Sequence, residues 1–255
     1  MAGRPYILKE TNWKVARETE YEVAILPWGA TEAHNFHLPF GTDTIQARAI
    51  ANESARQVWE AGHRVIVLPA VPFGVNSQQF GLGPTINMHP STQAFVLSDI
   101  IESLEAAQIP KLLILNGHGG NDFKQMIREA QTHTRIFLCT INWYAILDES
   151  DFFDERGDHA GEMETSMIQF LTPDLVLPLS EAGAGEPVPW RLAAIREKWA
   201  WAPRDWKKAT LDTGVGNPEH ARPEKGVAYF EAVTNSISEF LVDLAAADPD
   251  DLYGR

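Results

Sequence analysis

A chain of 255 residues with 44% hydrophobic and 22% charged residues has ordinary globular composition and enough length to bury a core with a cleft in it. Lys and Arg total 21 against 35 acids, and a net charge of -14 weighs against polyphosphate backbones, so nucleic acid is not an expected partner. The single Cys139 excludes a disulfide scaffold; from a polar, charged first segment without an apolar h-region and the lack of a long uncharged apolar run, a soluble, cytoplasmic protein is expected.

In chain order, the first apolar run, Val23-Ala24-Ile25-Leu26, reads as a strand. From Asp43 to Ala61, apolar residues at Ala47, Ile50, Ala51, Ala55 and Val58 predict a helix that stops at Gly62. Val65 to Leu68 is a second strand. Ser91 is a plausible N-cap for a helix with Ala94, Leu97, Ile101 and Leu104 on one face, ended by Ile109-Pro110. Leu112 to Leu115 is a third strand, followed after Asn121 by a helix with Phe123, Met126, Ile127 and Ala130 inward, and Ile136 to Cys139 is a fourth. All four runs are nearly all-apolar, as strands buried on both faces should be. Residues 172 to 225 are irregular and carry Trp190, Trp199, Trp201 and Trp206, which read as satellite core, cleft lining or subunit contact. A last amphipathic stripe runs from Val227 to Leu244. Strands alternating with helices predict an α/β fold, a mostly parallel sheet flanked by helices in a single domain spanning 1–255.

Three segments concentrate potential metal ligands. GATEAHNFHLPFGTD follows the first strand and holds Glu32, His34, His37 and Asp43; in extended chain Glu32 and His34 share a side, and Asp43 is either a ligand or the N-cap of the next helix. LNGHGGND sets His118 at the carboxyl end of the third strand. Open α/β sheets bind ligands along that edge, so the two clusters point to one site. GDHAGEMETS follows the fourth strand and offers His159, Glu162 and Glu164 at the start of a helix, where the two carboxylates are either functional or capping. Imidazoles with carboxylates suit zinc, manganese or iron. His63, His89, His133 and His220 stand alone, and Cys139 reads as a small buried hydrophobe.

ILPWGATEAHNFHLPFGTD, ILNGHGGND and DHAGEMETS resemble the three signature regions of the creatininase family of metal-dependent amidohydrolases, and PAVPFGVNSQQFGLGPTIN and TGVGNPEHARPEKG resemble further family segments, from about residue 20 to 245. The resemblance implies two divalent metals per chain at the carboxyl edge of the sheet and a homo-oligomer, often a hexamer. By motif position Glu32 and His118 would hold one metal, His34 the other, Asp43 would bridge them, and His159 would transfer protons. Creatininase itself has Tyr-Glu after the histidine of the third-strand motif, the Glu serving as a ligand, where this chain has Gly119-Gly120; members of this form resemble formamide deformylases, and Glu162 is the expected substitute ligand.

The function expected is hydrolysis of a non-peptide C–N amide bond, in a cyclic amide or formamide, by a metal-activated water, with His159 protonating the leaving nitrogen. A small-molecule amide is the expected partner, and no substrate-binding residue is identified. A metal-dependent phosphoesterase or sugar isomerase, and a non-catalytic assembly subunit, are the alternatives. The first is disfavoured because Arg156 is the sole basic residue near the three ligand segments.

Overall fold

The computed structural model describes residues 3–254; residues 1–2 and 255, the ends of the expected domain, lie outside the described residues. After a short helix α1 (Trp13–Ala16), the chain runs β1 (Val23–Trp28), α2 (Thr42–Glu60), β2 (Val65–Val67), α3 (Pro90–Ala106), β3 (Lys111–Asn116), α4 (Phe123–Ala130) and β4 (Phe137–Asn142). Then come α5 (Glu162–Leu171), the short α6 (Ala193–Arg196) and α7 (Trp206–Ala209), and α8 (Pro223–Ala246). The four strands form one parallel sheet in the order β2-β1-β3-β4, with Ile25 opposite Val67 on one side and Leu113 on the other. The α/β fold expected from the sequence is the fold observed.

Side chains of β1 alternate between two apolar layers, as the two-residue period of a strand requires. Val23 and Ile25 join Ile50, Val58, Tyr229, Val233 and Leu241 under α2 and α8, while Ala24, Leu26 and Trp28 join Leu97, Ile101, Leu104 and Phe123 under α3 and α4. Helices therefore cover both faces of the sheet, and β1, β2 and β3 are buried throughout. The fourth strand departs from the expectation of burial on both faces. At its edge of the sheet it leaves Phe137, Cys139 and Ile141 only half-buried, whereas β2, the other edge, is covered by the N-terminal segment, where the Val67 N–H donates to Tyr6 O at 2.8 Å.

Helix ends follow local chemistry. Gly62 ends α2 with φ +100, a conformation that costs glycine little. The third helix begins at Pro90, whose fixed φ and missing N–H suit the first turn, one residue ahead of the Ser91 expected as its cap. Among the described residues no helix is long and apolar enough to cross a membrane.

Candidate metal centre

Each ligand-bearing segment leaves a carboxyl-terminal strand edge or a helix start. Glu32 and His34 lie in the turn after β1, Asp43 in the first turn of α2, His118 two residues past β3, and His159 and Glu164 at the entry to α5. All these side chains are buried or nearly so. Asp43 does not cap its helix; its carboxylate turns inward and joins two histidines. Its Oδ1 lies 2.8 Å from His34 Nε2 and its Oδ2 3.0 Å from His118 Nδ1. Glu32 Oε1 approaches His118 Nδ1 at 2.9 Å, His159 Nδ1 at 3.8 Å and His34 Nε2 at 4.0 Å. Glu164 Oε1 lies 3.9 Å from His34 Nε2. Two triads result, Glu32–Asp43–His118 and His34–Asp43–Glu164, sharing Asp43, and Glu32, His34 and His159 form a third convergent group.

The imidazoles are oriented by backbone carbonyls. A carbonyl accepts only, so each nitrogen facing one carries a proton: Nδ1 of His34 donates to Glu32 O (3.1 Å), Nε2 of His118 to Val75 O (3.1 Å) and Nε2 of His159 to Ala33 O (2.8 Å). In every case the other ring nitrogen points at the carboxylates. Neutral rings in these tautomers present three lone pairs to one centre, the arrangement that orients metal-ligating histidines.

The electrostatics point the same way. Burial opposes a charged His34, yet Asp43, Glu164 and Glu32 outweigh it and push its pKa up to about 10. His118 is raised well above its ordinary value against burial by Glu32 and Asp43. Burial would raise Asp43, but His34 and His118 hold it well below the usual carboxylate range. Glu164 is raised, chiefly by burial. A centre with three buried carboxylates demands positive charge, and a divalent ion supplies it when it displaces the imidazole protons. Asp43 Oδ2 is buried without a hydrogen-bond partner among the described residues. The donor set thus fits a pair of divalent metals.

Glu162, expected to replace the missing glutamate, is elsewhere. Its Oε1 pairs with Lys225 and its Oε2 accepts the Glu155 N–H at 2.8 Å, which anchors α8 to the loop before α5. Glu164 is the carboxylate that faces His34 and Asp43 instead, and its Oε2 also accepts the Ala160 N–H at 2.5 Å. His159, expected to transfer protons, lies against the His34 ring with centroids 4.2 Å apart. His37 lies outside the centre, with Nε2 on Thr165 Oγ1 at 2.9 Å.

Several supporting residues escaped the sequence reading. The buried Gln79 donates to Glu32 Oε2 at 2.5 Å. Asn121 accepts the Val75 N–H at 3.1 Å and so aligns the peptide that orients His118. Gly120 carries no side chain because a Cβ there would overlap His118 Nε2 and Val75 O, the two atoms of that orienting hydrogen bond. The Tyr144 hydroxyl stands 4.0 Å from where a Gly119 Cβ would be. Burial, with Asp43 and Glu164, pushes its pKa up to about 12, so it remains a neutral donor. Gln79 and Asn121 had a sequence signal as polar residues inside family-like segments, and Gly120 as part of the Gly119-Gly120 departure; Tyr144 had none.

Comparison with known proteins agrees with this architecture. A family model described as creatininase, creatinine amidohydrolase, matches residues 9–241. A Bacteroides fragilis protein provisionally named a creatinine amidohydrolase superposes with a TM-score of 0.92 at 42% identity, covering 98% of this chain and 99% of that one. The manganese form of creatininase superposes with a TM-score of 0.79 at 20% identity over 96% of this chain and 100% of that one, a likeness of fold. Among curated relatives, the mycofactocin precursor peptide peptidase of Mycolicibacterium smegmatis is 26% identical over 85% of this chain and 83% of its own length. The creatinine amidohydrolase of Pseudomonas putida is 25% identical over 66% and 72%. With its motifs, its fold and its matched length in accord, this chain belongs to the creatininase family of hydrolases.

Proposed function

We propose that the chain is a metal-dependent amidohydrolase that cleaves a non-peptide C–N amide bond in a cyclic amide or formamide. The observation that carries this reading is Asp43, shared between two complete ligand triads. Glu32, Asp43 and His118 would hold one ion and His34, Asp43 and Glu164 the other, as zinc, manganese or iron. Bound there, such a pair supplies a water whose pKa falls from about 16 towards roughly 7 and polarises the amide carbonyl. His159 keeps its Nε2 proton on Ala33 O and presents the lone pair of Nδ1 to the centre, from where it would take up the proton given off by the attacking water and pass it to the leaving nitrogen. Tyr144 offers a neutral hydroxyl donor beside the Gly119-Gly120 turn.

Phosphoester chemistry has less support, because the cations nearby are already engaged: Lys225 by Glu162 and Asp154, Arg204 by Asp158. Peptide amides are the second reading, favoured by relatives named as peptide peptidases that align over most of this chain. Elemental analysis of the purified protein, with an activity screen over cyclic amides, formamides, short peptides and phosphoesters, tests the proposal. Two metal equivalents with turnover of a cyclic amide or formamide are expected. Turnover confined to peptides selects the second reading, and turnover confined to phosphoesters overturns both.

The proposal includes a homo-oligomer, of which a hexamer is the expected form. Its support in this chain is the exposed apolar surface of Trp199, Trp201 and Leu211.

A further inference from the structure

Trp206 is buried, yet it belongs to none of the apolar cores. Its ring lies against an imidazole, with centroids 4.6 Å from those of His159 at an interplanar angle of 60°. On the same imidazole, the His34 ring stacks at 4.2 Å and 30°. The guanidinium of Arg204 lies 4.8 Å from the centroid of Trp206 and makes a two-pronged pair with Asp158, at 3.2 and 2.7 Å. Two residues of the Trp-rich segment therefore grip two consecutive residues of the loop before α5, Arg204 on Asp158 and Trp206 on His159.

From this arrangement we infer that Trp206, held by Arg204, is a positioning residue that keeps His159 Nδ1 directed at the metal centre. The backbone of His159 is pinned by paired hydrogen bonds with Val215, at 3.1 and 2.8 Å. Among the described residues its side chain has one hydrogen bond, Nε2 to Ala33 O. A single such bond is an axis about which the ring can swing, carrying Nδ1 away from Glu32. The neighbouring rings block that swing, and of the two only Trp206 is free of any ligand duty. A proton donor displaced by about 1 Å loses roughly 100-fold in rate, so the brake has catalytic consequence. Arg204 supplies the restraint on Trp206 itself: a planar cation that stacks on an indole while forking onto a carboxylate, which Lys cannot reproduce.

The inference rests on His159 being catalytic, and the test separates the two. In the metal-loaded protein, metal content, kcat and KM on an amide found active, and carbethoxylation of His159 by diethylpyrocarbonate, read by peptide mass spectrometry, are compared across variants. His133, exposed and on none of the segments that form the clamp, serves as the internal standard. Trp206→Ala is expected to keep its metal and hold KM within about 3-fold while kcat falls about 10- to 100-fold. His159 should carbethoxylate on the order of ten times faster, with the standard unchanged, because the ring that covers it is gone. Trp206→Phe should restore most of kcat, and Arg204→Lys should behave like Arg204→Ala, between wild type and Trp206→Ala. Wild-type kcat and wild-type His159 reactivity in Trp206→Ala overturn the inference. So does a kcat loss with unchanged His159 reactivity, or one that Phe fails to relieve. If Trp206→Ala does not fold, Trp206→Phe and Arg204→Ala decide by the same two readouts. Full kcat in His159→Asn would remove the catalytic reading alone, leaving the reactivity measurement to judge the clamp.

Discussion

Glu162 and Glu164 are chemically identical and two positions apart at the start of α5, where 100° of turn per residue sends them about 200° apart, onto opposite sides of the helix. One therefore reaches His34 and the other Lys225, and the sequence alone does not say which because it does not fix the helical phase. Glu164→Gln is expected to lower metal content by about one ion per chain. Glu162→Gln should keep full metal and instead lower stability by about 1–3 kcal/mol in urea unfolding, since Lys225 retains only the exposed Asp154. Metal loss from Glu162→Gln with full metal in Glu164→Gln would reverse the assignment. Gly120 bears on the same centre. Gly120→Ala places a methyl group across the His118–Val75 hydrogen bond, and metal affinity by competition with a chelator should fall about 10- to 100-fold, the usual cost of losing a partner that orients a ligand. His37 is a stability group: burial, with the nearby His34, pushes its pKa down to about 4. The folded state keeps it neutral while the unfolded chain protonates it near pH 6.5, so its contribution is present above that pH and is lost as pH falls towards about 4. Wild type should lose stability relative to His37→Gln across that window, and parallel stability curves would remove His37 from the account.

At the level of elements, what the sequence carried was period, and what it lacked was contact between segments without period. The all-apolar runs at Val23, Val65 and Leu112 became the three buried strands because a strand covered on both faces has no room for polar alternation. β4 has much the same composition and lies half-exposed, since strand order is a global property that local hydrophobicity does not encode. The convergence of Glu32, His34, Asp43 and His118 was readable because strand ends of a parallel sheet share an edge. The clamp on His159 was not readable: it joins residue 159 to residues 204–206 through a segment with no repeating pattern, across a crossing where Gly157 and Gly161 meet Gly216 with no space for a Cβ at Gly157 or Gly216. Gly226 is a comparable case within regular structure. In the first turn of α8, its missing side chain lets the helix rest directly on the α5 backbone, where a Cβ would overlap Ser166 O. Gly226→Ala should destabilise the fold by about 1–3 kcal/mol in chemical denaturation even though Ala is the better helix former by about 1 kcal/mol. Stabilisation would mean that α8 does not pack so closely on α5.

For the whole molecule, charge and apolar surface act in opposition. A net charge of -14 per chain repels other copies, while Trp199 and Trp201 expose 75% and 86% of their surface and Leu211 exposes 96%, all on the segment that also delivers Trp206 to His159. Indole side chains carry about 150–250 Å² each, so covering the two exposed ones removes roughly 300 Å² from water, worth about 8 kcal/mol per protomer. A self-complementary contact doubles that gain to about 16 kcal/mol, which is of the same order as the 4–15 kcal/mol or more that association costs in lost freedom. Assembly driven this way should strengthen as salt screens the acidic repulsion, whereas assembly held by surface ion pairs should weaken. Sedimentation at micromolar concentration is therefore expected to give a species larger than one chain that persists or grows between about 0.05 and 0.5 M salt, beyond which the Debye length is only a few ångström. A triple variant, Trp199→Ser, Trp201→Ser and Leu211→Ser, should run as a monomer with its metal retained, because none of the three side chains reaches the ligand triads. An oligomer that survives the triple substitution would move the interface to another face, and a wild-type monomer at both salt concentrations would refute homo-oligomerisation altogether.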